Sequence, residues 1–391
     1  VFPGQKIAGS DALVSACVHA SIPGKVSAIV NWPHPVLGIC KAIVIDALVS
    51  DRPQLNGGIK PAPRYSAPDN LNPDKLTPDQ IRQIVRESGI VGMGGAGFPT
   101  HIKLNPSKPV DTLILNGTEC EPYLTGDDRL MIEKADQILK GLELIVRCLG
   151  VEQIYIAIEN NKPEAIKSFN SILSSFKGKA SIKLAVLKSE YPQGGEKQLI
   201  KNILKKEVPS GKLPFDAGVI VQNVATALAI YEAVYKNKPL YQRVVCVTGE
   251  CLGNPKNLLV PIGTPIKELI EFCQPLTRDF VKIIIGGPMM GFAQYIDTVP
   301  IIKTSSAVIL LSSREVQTYK EDNCIRCGEC LYNCPVNLEP CLISLAVERN
   351  NWELAKDYSP LDCIECGLCA YVCPAKRNLV QSIKLAKLRA E

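Results

Sequence analysis

Two copies of a closely spaced cysteine motif constrain this chain more than any other feature. Each copy has three cysteines separated by two residues and then a fourth cysteine followed by proline: Cys324, Cys327, Cys330 and Cys334, and then Cys363, Cys366, Cys369 and Cys373. Three thiolates at this spacing can surround one corner of a cubane iron–sulfur cluster, while the fourth points toward a second cluster. The spacing therefore predicts two neighbouring [4Fe–4S] clusters.

The predicted ligation of these clusters is crossed between the two motifs. One cluster would take Cys324, Cys327, Cys330 and Cys373, and its neighbour would take Cys363, Cys366, Cys369 and Cys334. A pair of structural zinc sites is the alternative, but four ligands around one zinc ion do not require this crossed run or the prolines. Because such clusters store and pass single electrons, we expect the remaining residues to supply an electron source, an acceptor, or both.

Composition narrows the class of protein. A chain of 391 residues is long enough for two to four domains, and its net charge of +5 does not indicate nucleic-acid binding. The eight cysteines outside the motifs are scattered, which favours a reducing cytosol over a disulfide framework. No uncharged apolar run of about 18 residues is present, so no transmembrane segment is predicted. The chain begins at Val1 in mid-pattern, and we expect a segment to precede it.

The first 52 residues predict a small β module. Short β-type runs at residues 13–18, 25–30 and 42–49 alternate with Pro-Gly and Asn-Trp-Pro breaks. The short sequences at residues 3–8 and 19–26 resemble those of lipoyl and biotinyl carriers, which have a barrel-sandwich fold. Those carriers hold a modified lysine in a hairpin turn, and the Asp11-Ala12 turn has none, so we expect a docking or scaffold role.

Residues 53–76 are rich in Pro, Asn and Gly and predict a linker. A helix is predicted to begin after Thr77, because Pro78 suits its first turn and Gln80 completes a capping box. An α/β domain is expected over 77–240, because strands at 112–115, 153–158 and 181–187 alternate with helices at 128–149 and 163–176. A third helical run is expected to open at Val221.

A glycine-rich loop follows the first of these helices and precedes Lys103. Its candidate cofactor-binding residues are Gly92, Gly94, Gly95, Ala96, Gly97 and Phe98. Without Cβ atoms, backbone N–H groups can approach an anion or a flat ring closely. One such loop is weak evidence, and a mobile turn is the alternative interpretation.

Further polar motifs strengthen the interpretation of the glycine loop as a ligand site. Ligands of parallel α/β sheets bind at the carboxyl ends of the strands. Candidate residues at or after strand ends are Asn116, Glu119 and Glu121 in one motif, Gly194 and Glu196 in the next, and Asn223 and Thr226 in the last. Polar side chains inside apolar runs are costly unless they are paired, so these residues are expected to face a ligand or to cap a helix.

The last two regions complete the predicted fold class, a multidomain α/β protein. Residues 241–315 show the mixed pattern of a small β-grasp (SLBB-like) domain, in which Met289 and Met290 are interpreted as gap-fillers. Residues 316–391 form a predicted α-helical ferredoxin-like domain that ends in a short basic helix. That helix is either solvated or used for docking.

The loop and the strand-end motifs together resemble the FMN and NADH site of the flavoprotein subunit of respiratory complex I. This resemblance implies that the glycine loop, Lys103, Asn223 and Thr226 hold FMN and that Phe98 stacks on NADH. It also implies that Glu119, Glu121 and Glu196 act at the NADH pocket as the candidate catalytic residues. Met93, Gly195 and Ala225 depart from residues usual in that family, which concerns the NADH contacts more than the flavin.

Across nearly the whole length, the chain resembles the C subunit of the Rnf complex, an ion-pumping NAD:ferredoxin oxidoreductase. The resemblance implies electron transfer between NAD(H), FMN and two [4Fe–4S] clusters. It also implies a peripheral place on the cytoplasmic face of the membrane, with other Rnf subunits, including membrane-embedded ones, as partners and ferredoxin reached through the complex. Two alternatives are a corrinoid reductase of bacterial microcompartments and a non-catalytic iron–sulfur electron wire.

Overall fold

The computed structural model describes residues 1–47, 72–176, 179–316 and 319–390. Most of the predicted linker, residues 53–71, therefore lies outside the described residues. Its last part forms a 3-10 turn at Pro73–Lys75, in which the Asn72 side chain accepts a hydrogen bond from the Asp74 N–H.

The N-terminal module is built from two antiparallel strand pairs. The strands are β1 (Lys6–Ala8) with β2 (Val18–His19), and β3 (Gly24–His34) with β4 (Gly38–Ala47). The strand expected over residues 13–18 is wrong except at Val18, because residues 13 and 14 form a bend and residues 15–17 have no regular structure. The hairpin formed by β3 and β4 contacts the β-grasp region, where Trp32 Nε1 donates a hydrogen bond to the Thr298 carbonyl at 3.2 Å.

The α/β domain has a four-stranded, fully parallel sheet. Its strands are β5 (Thr112–Gly117), β6 (Gln153–Glu159), β7 (Ser181–Leu187) and β8 (Val219–Asn223), arranged in the order β7-β6-β5-β8. The helices are α1 (Pro78–Glu87), α2 (Thr100–Lys103), α3 (Gly126–Glu133), α4 (Ala135–Leu149), α5 (Pro163–Ile172), α6 (Glu196–Leu204) and α7 (Val224–Lys236).

Local sequence explains most of these boundaries. The capping box at Thr77 is present, with Gln80 and Thr77 exchanging side chain to backbone hydrogen bonds. The inner strand β5 and its neighbour β8, at one edge of the sheet, are almost continuously buried, as expected for a parallel sheet covered by helices on both faces. Two expectations are wrong: the helix over 128–149 is interrupted at Lys134, and strand β8 ends at Asn223 before the third helical run begins.

The β-grasp region is a five-stranded mixed sheet. Its strands are β9 (Gln242–Thr248), β10 (Lys256–Pro261), β11 (Lys282–Ile285), β12 (Phe292–Gln294) and β13 (Ala307–Leu311), in the order β10-β9-β13-β11-β12. Strands β9 and β13 pair in parallel and the other neighbours are antiparallel. Helix α8 (Ile266–Phe272) packs Ile266 and Leu269 into the separate core of this sheet.

The C-terminal region is helical. It contains α9 (Glu329–Tyr332), α10 (Pro340–Glu348), α11 (Trp352–Asp357), α12 (Leu368–Tyr371) and α13 (Leu379–Ala390). Short helices α9 and α12 begin after Gly328 and Gly367, whose φ angles of 80° and 84° favour a residue without a Cβ. Among the helices of the described ranges, none is both long and apolar enough to cross a bilayer.

Candidate functional site

The order of the parallel sheet brings the strand-end motifs to one edge. Strands β5 and β8 are neighbours, and Asn116 is paired in register with Asn223. The Asn116 side chain donates to the Gly194 carbonyl at 3.0 Å, which draws the segment after β7 to the same edge. Three motifs that are far apart in sequence therefore meet, as parallel topology predicts.

The glycine loop closes over this edge as a compact turn. The Gly92 N–H donates to the Phe98 carbonyl at 2.9 Å, and the Met93 N–H donates to the buried Thr226 hydroxyl at 3.0 Å. A Cβ on Gly94 would lie 3.1 Å from the Asn223 Cβ, and one on Gly97, at φ 69°, would lie 2.7 Å from a Thr304 methyl carbon. These two glycines are therefore fixed by close packing.

The middle of the loop is nevertheless open to solvent. Gly94, Gly95 and Ala96 are exposed, and a Cβ on Gly95 would meet no atom within 4 Å. The Phe98 ring is 45% exposed. An aromatic face and an open glycine backbone thus lie next to each other, as a flat ligand ring requires.

Lys103 and Glu196 form an ion pair at the candidate site. Lys103 ends helix α2 and Glu196 begins helix α6, and their charged atoms are in direct contact. The Lys103 side chain is 22% exposed and the Glu196 side chain 42%. The pair therefore connects the predicted phosphate-binding lysine to the third motif and leaves part of each group accessible.

Glu119 is a buried carboxylate at the start of helix α3. It accepts hydrogen bonds from the N–H groups of Asp127 at 2.9 Å and Asp128 at 3.3 Å, and Lys162 lies 3.7 Å away. Burial, and next the charge of Asp127, raise the pKa of Glu119 to about 7. The carboxyl can therefore exchange a proton near neutral pH.

Asp127 is a site residue that sequence reasoning missed. Its carboxylate accepts a hydrogen bond from the Asn223 side-chain amide at 2.6 Å, and burial raises its pKa. Asn223 also accepts from the Ala225 N–H at 2.9 Å and so caps helix α7. An aspartate in the first turn of a helix is common, so the sequence gives little reason to single this one out.

Glu121 is held by the β-grasp region rather than by the strand-end edge. Its carboxylate accepts hydrogen bonds from the N–H groups of Met289 at 3.0 Å and Met290 at 2.8 Å. A Cβ on Gly287 would lie 2.2 Å from the same carboxylate, so the turn needs glycine there. The backbone at Met289 and Met290 thus positions an acidic residue, a role that the interpretation as gap-fillers did not foresee.

Unpartnered polar atoms at this edge fit a polar ligand. Among the described residues, Gln222 Nε2 on β8 and Asp128 Oδ1 in the first turn of α3 are buried without a hydrogen-bond partner. Buried polar groups normally have partners, so unpartnered ones indicate a missing ligand or water. Together with the Phe98 ring and the open loop, they match the ring and polar groups of a flavin nucleotide.

The C-terminal region contains two cysteine-lined cavities. The first cavity is lined by Cys324, Cys327, Cys330 and Cys373, and the second by Cys334, Cys363, Cys366 and Cys369. In each cavity three cysteines come from one motif and the fourth from the other motif.

The chemistry of these cavities fits clusters better than single ions. Within the described ranges, no three His, Cys, Asp or Glu side chains converge closely enough to share one metal ion, so the thiols are spread around each cavity. Burial raises the pKa of the Cys369 thiol to about 12. Such thiols become thiolates when bound iron supplies compensating positive charge.

Contacts from the α/β domain reach the second cavity directly. The Tyr191 hydroxyl donates to the Cys366 carbonyl at 2.6 Å, and the Gln198 side chain donates to the Pro335 carbonyl at 2.9 Å. A Cβ on Gly367 would lie 3.0 Å from the Met289 carbonyl. Gln198 follows Glu196 in the first turn of helix α6, so one helical turn touches both the flavin edge and the second cavity.

Family models match all four regions. Residues 1–48 match an "RnfC Barrel sandwich hybrid domain", 85–232 a "Nuo51 FMN-binding domain", 244–293 an "SLBB domain" and 316–374 a "4Fe-4S dicluster domain". These matches, with the observed sheets, confirm the predicted fold class and the predicted FMN and [4Fe–4S] cofactors.

A likeness to solved structures shows the fold alone. An NAD+-reducing [NiFe]-hydrogenase in its H2-reduced state matches with a TM-score of 0.58 at 18% identity, covering 82% of this chain and 64% of that chain. In its air-oxidised state the match has a TM-score of 0.53 at 19% identity and covers 80% and 53%.

Similarity to curated proteins is much closer. The C subunit of a proton-translocating ferredoxin:NAD(+) oxidoreductase complex from Clostridium ljungdahlii is 47% identical, covering 98% of this chain and 82% of that protein. The C subunit of a Na(+)-translocating complex of the same kind from Acetobacterium woodii is 41% identical, covering 99% and 85%. The C subunit of an ion-translocating oxidoreductase complex from Rhodobacter capsulatus is 40% identical, covering 99% and 73%. The chain belongs to the family of C subunits of the ion-translocating ferredoxin:NAD(+) oxidoreductase, or Rnf, complexes.

Proposed function

We propose that this chain is the subunit that transfers electrons between NAD(H), FMN and two [4Fe–4S] clusters in an ion-translocating ferredoxin:NAD(+) oxidoreductase complex. The observation that carries this proposal is the contact between the flavin edge and the second cysteine cavity through Tyr191 and the first turn of α6. When bound, these cofactors supply the exchange between two-electron and one-electron chemistry.

The glycine loop, Lys103, Asn223 and Thr226 would hold the flavin nucleotide. Lys103 supplies a positive charge for a phosphate, and its pairing with Glu196 orients it. Thr226 fixes the loop by accepting the Met93 N–H, and Asn223 joins the loop to Asp127. Phe98 offers an exposed ring on which a nicotinamide or a flavin can stack.

The acidic residues divide into two groups by their surroundings. Glu119 lies beside Asp127 near the strand ends and exchanges protons near neutral pH, so it would bind a ribose hydroxyl or adjust the charge near the flavin. Glu121 instead connects the acidic loop to Met289 and thereby to Gly367 beside the second cavity. We therefore assign Glu121 a positioning role.

Each cavity would hold one cluster with crossed ligands. Cys363, Cys366, Cys369 and Cys334 surround the cavity that the α/β domain contacts, which makes it the expected entry point for electrons from the flavin edge. The cavity lined by Cys324, Cys327, Cys330 and Cys373 would then serve as the exit toward partners.

The partners and location belong to the same proposal. Other subunits of the complex, including membrane-embedded ones, would receive electrons from the exit cavity, with the chain on the cytoplasmic face of the membrane and ferredoxin reached through the complex. Binding of purified chain to vesicles with and without the remaining subunits would test this. Binding only when those subunits are present supports it, and equal binding to bare vesicles contradicts it.

A direct test of the function is the cofactor content and NADH response of the purified chain. About one FMN and about eight irons per chain, with bleaching of the visible spectrum by NADH, are the expected result. Eight irons without FMN and without bleaching would show a non-catalytic electron wire instead.

A further inference from the structure

A fifth cysteine lies in the first cavity. Cys341, in the first turn of helix α10, lines the cavity together with Cys324, Cys327, Cys330 and Cys373. Both the side chain and the backbone N–H of Cys341 interact with Cys330, one of the four proposed ligands. A cluster needs only four thiolates, so the Cys341 thiol is left over at contact distance from a ligand.

The second cavity has an apolar residue at the equivalent place. Cys341 follows Cys334 at the same separation as Val380 follows Cys373, so the two residues correspond in the repeated motif. Val380 lines the second cavity just as Cys341 lines the first. The repeat therefore places the Cys341 thiol, a hydrogen-bond donor, at the first cavity and the apolar Val380 side chain at the second.

We propose that Cys341 is a positioning residue whose thiol raises the reduction potential of the first cluster. A thiol can donate an S–H hydrogen bond to a cluster sulfur. Such a bond stabilises the reduced, more negative cluster more than the oxidised one, and hydrogen bonds to the sulfurs are known to set cluster potentials. The inference rests on the ligand sets proposed above.

Charged residues also differ between the two cavities. Arg377 lines the first cavity, but its guanidinium pairs with Glu348 and lies 3.9 Å from Glu321. Lys387 donates to the Cys363 carbonyl beside the second cavity, and Glu365 pairs with it at 2.7 Å. Arg326 also lines the first cavity, and Lys384 lies 3.3 Å from Glu365 at the second, so the charges around the two cavities are not equivalent. Replacing Cys341 by valine leaves all of these charges in place and isolates the contribution of the thiol.

The consequence concerns the direction of electron flow. Electrons would enter at the second cavity, next to the α/β domain, and the thiol would make the first cluster easier to reduce than it would be without Cys341. The hydrogen bond from Cys341 would therefore favour electron transfer from the second cluster to the first.

A reciprocal exchange tests this in the reconstituted full chain. Samples of Cys341→Val and Val380→Cys are poised at fixed potentials, and the reduced clusters are quantified by electron paramagnetic resonance. The signals are assigned beforehand with Cys327→Ser for the first cluster and Cys366→Ser for the second. Cys341→Val should lower the reduced-to-oxidised ratio of the first cluster about threefold to tenfold, the range expected for one hydrogen bond, without changing the second.

The reciprocal variant gives the matched control. Val380→Cys should raise the same ratio for the second cluster only, and Cys341→Ser, which keeps a hydrogen-bond donor, should stay closer to wild type than Cys341→Val does. Unchanged ratios in both exchange variants, with both signals intact, would overturn the role of Cys341. Loss of the first cluster from Cys341→Val would show a ligand and would also overturn it. Failure of Cys327→Ser and Cys366→Ser to remove different signals would instead refute the ligand sets.

Discussion

In the α/β domain, the residues of the candidate flavin site come from segments spread between Gly92 and Thr226 and are held together by contacts such as Met93 to Thr226 and Lys103 to Glu196. In the C-terminal region, each cavity takes three of its four thiols from a single short motif and only the fourth from the other. The first site depends on tertiary packing, and the second depends mainly on local spacing. Changes to one should therefore leave the cofactors of the other in place.

The largest expected effect is the loss of one entire cluster after a ligand is replaced. Cys366→Ser and Cys334→Ser should each remove the same cluster and lower the iron content from about eight to about four per chain, because both thiols line the second cavity. Iron analysis and electron paramagnetic resonance measure this, with the FMN content expected to stay unchanged.

For the first cavity, the crossed arrangement predicts that the last cysteine of the second motif acts together with the cysteines of the first motif. Cys373→Ser should remove the same signal as Cys327→Ser. Cys40→Ser, in the N-terminal hairpin, is the control and should keep both clusters. If Cys334→Ser and Cys327→Ser remove the same signal, each motif binds its own cluster and the crossed sets are wrong.

The next largest effect is expected on the affinity of the α/β domain for FMN. Lys103→Ala removes the cation proposed to meet the phosphate and should raise the Kd for FMN about tenfold to a hundredfold, the range for a charge-assisted hydrogen bond. Titration of the flavin-depleted chain by fluorescence measures this, and the iron content should not change.

Lys108 provides a matched control for that experiment. It also pairs with a carboxylate, Asp216, but its side chain is 57% exposed and it lies outside the candidate site. Lys108→Ala should bind FMN as the wild type does. Equal weakening by both substitutions would indicate a general loss of charge or stability rather than a phosphate contact.

A smaller effect is expected on stability through Glu119. Its pKa is raised from 4.5 to about 7, so the folded chain favours the protonated carboxyl. The stabilisation is complete below about pH 4.5 and is lost as the pH rises through about 7. Relative to wild type, Glu119→Gln should therefore gain several degrees in Tm between pH 5 and pH 8. A Tm difference that is independent of pH would contradict the raised pKa.

The smallest effect concerns the contact between the two regions. Tyr191→Phe removes the hydrogen bond to the Cys366 carbonyl while keeping the ring, and it should slow reduction of the clusters by NADH about twofold to fivefold. Stopped-flow absorbance measures the rate. Tyr155→Phe, whose hydroxyl contacts Gln153 on its own strand, is the control and should not change the rate.

The difference between the regions also explains how much the sequence could predict. Cysteine spacing is local, so the grouping of the eight motif cysteines into two cavities follows from the two motifs, whereas the place of Cys341 in the first cavity was not predicted. The strand-end motifs could be placed together because parallel strands end at one edge, as the pairing of Asn116 with Asn223 shows. The split of the predicted long helix at Lys134 was not predictable, because its apolar pattern continues across the break.

Contacts between domains could not be predicted from one sequence. The binding of Glu121 by the Met289 and Met290 backbone joins residues far apart in the chain and involves no side-chain signal on the β-grasp side. The hydrogen bond from Tyr191 to the Cys366 carbonyl could not be predicted either, because it also joins distant residues and ends on a backbone group. The domain limits at 52, 76, 240 and 315 remain a proposal that limited proteolysis can test.

The most direct test of the proposed electron path is reduction by NADH of a chain that retains only the first cluster. In Cys366→Ser, the first cluster should remain and be reduced by dithionite, but NADH should reduce it at least about tenfold more slowly than in wild type, because the entry cavity next to the α/β domain is lost. In Cys327→Ser, NADH should still reduce the second cluster at the wild-type rate. Reduction of the first cluster by NADH at an unchanged rate in Cys366→Ser would contradict this path.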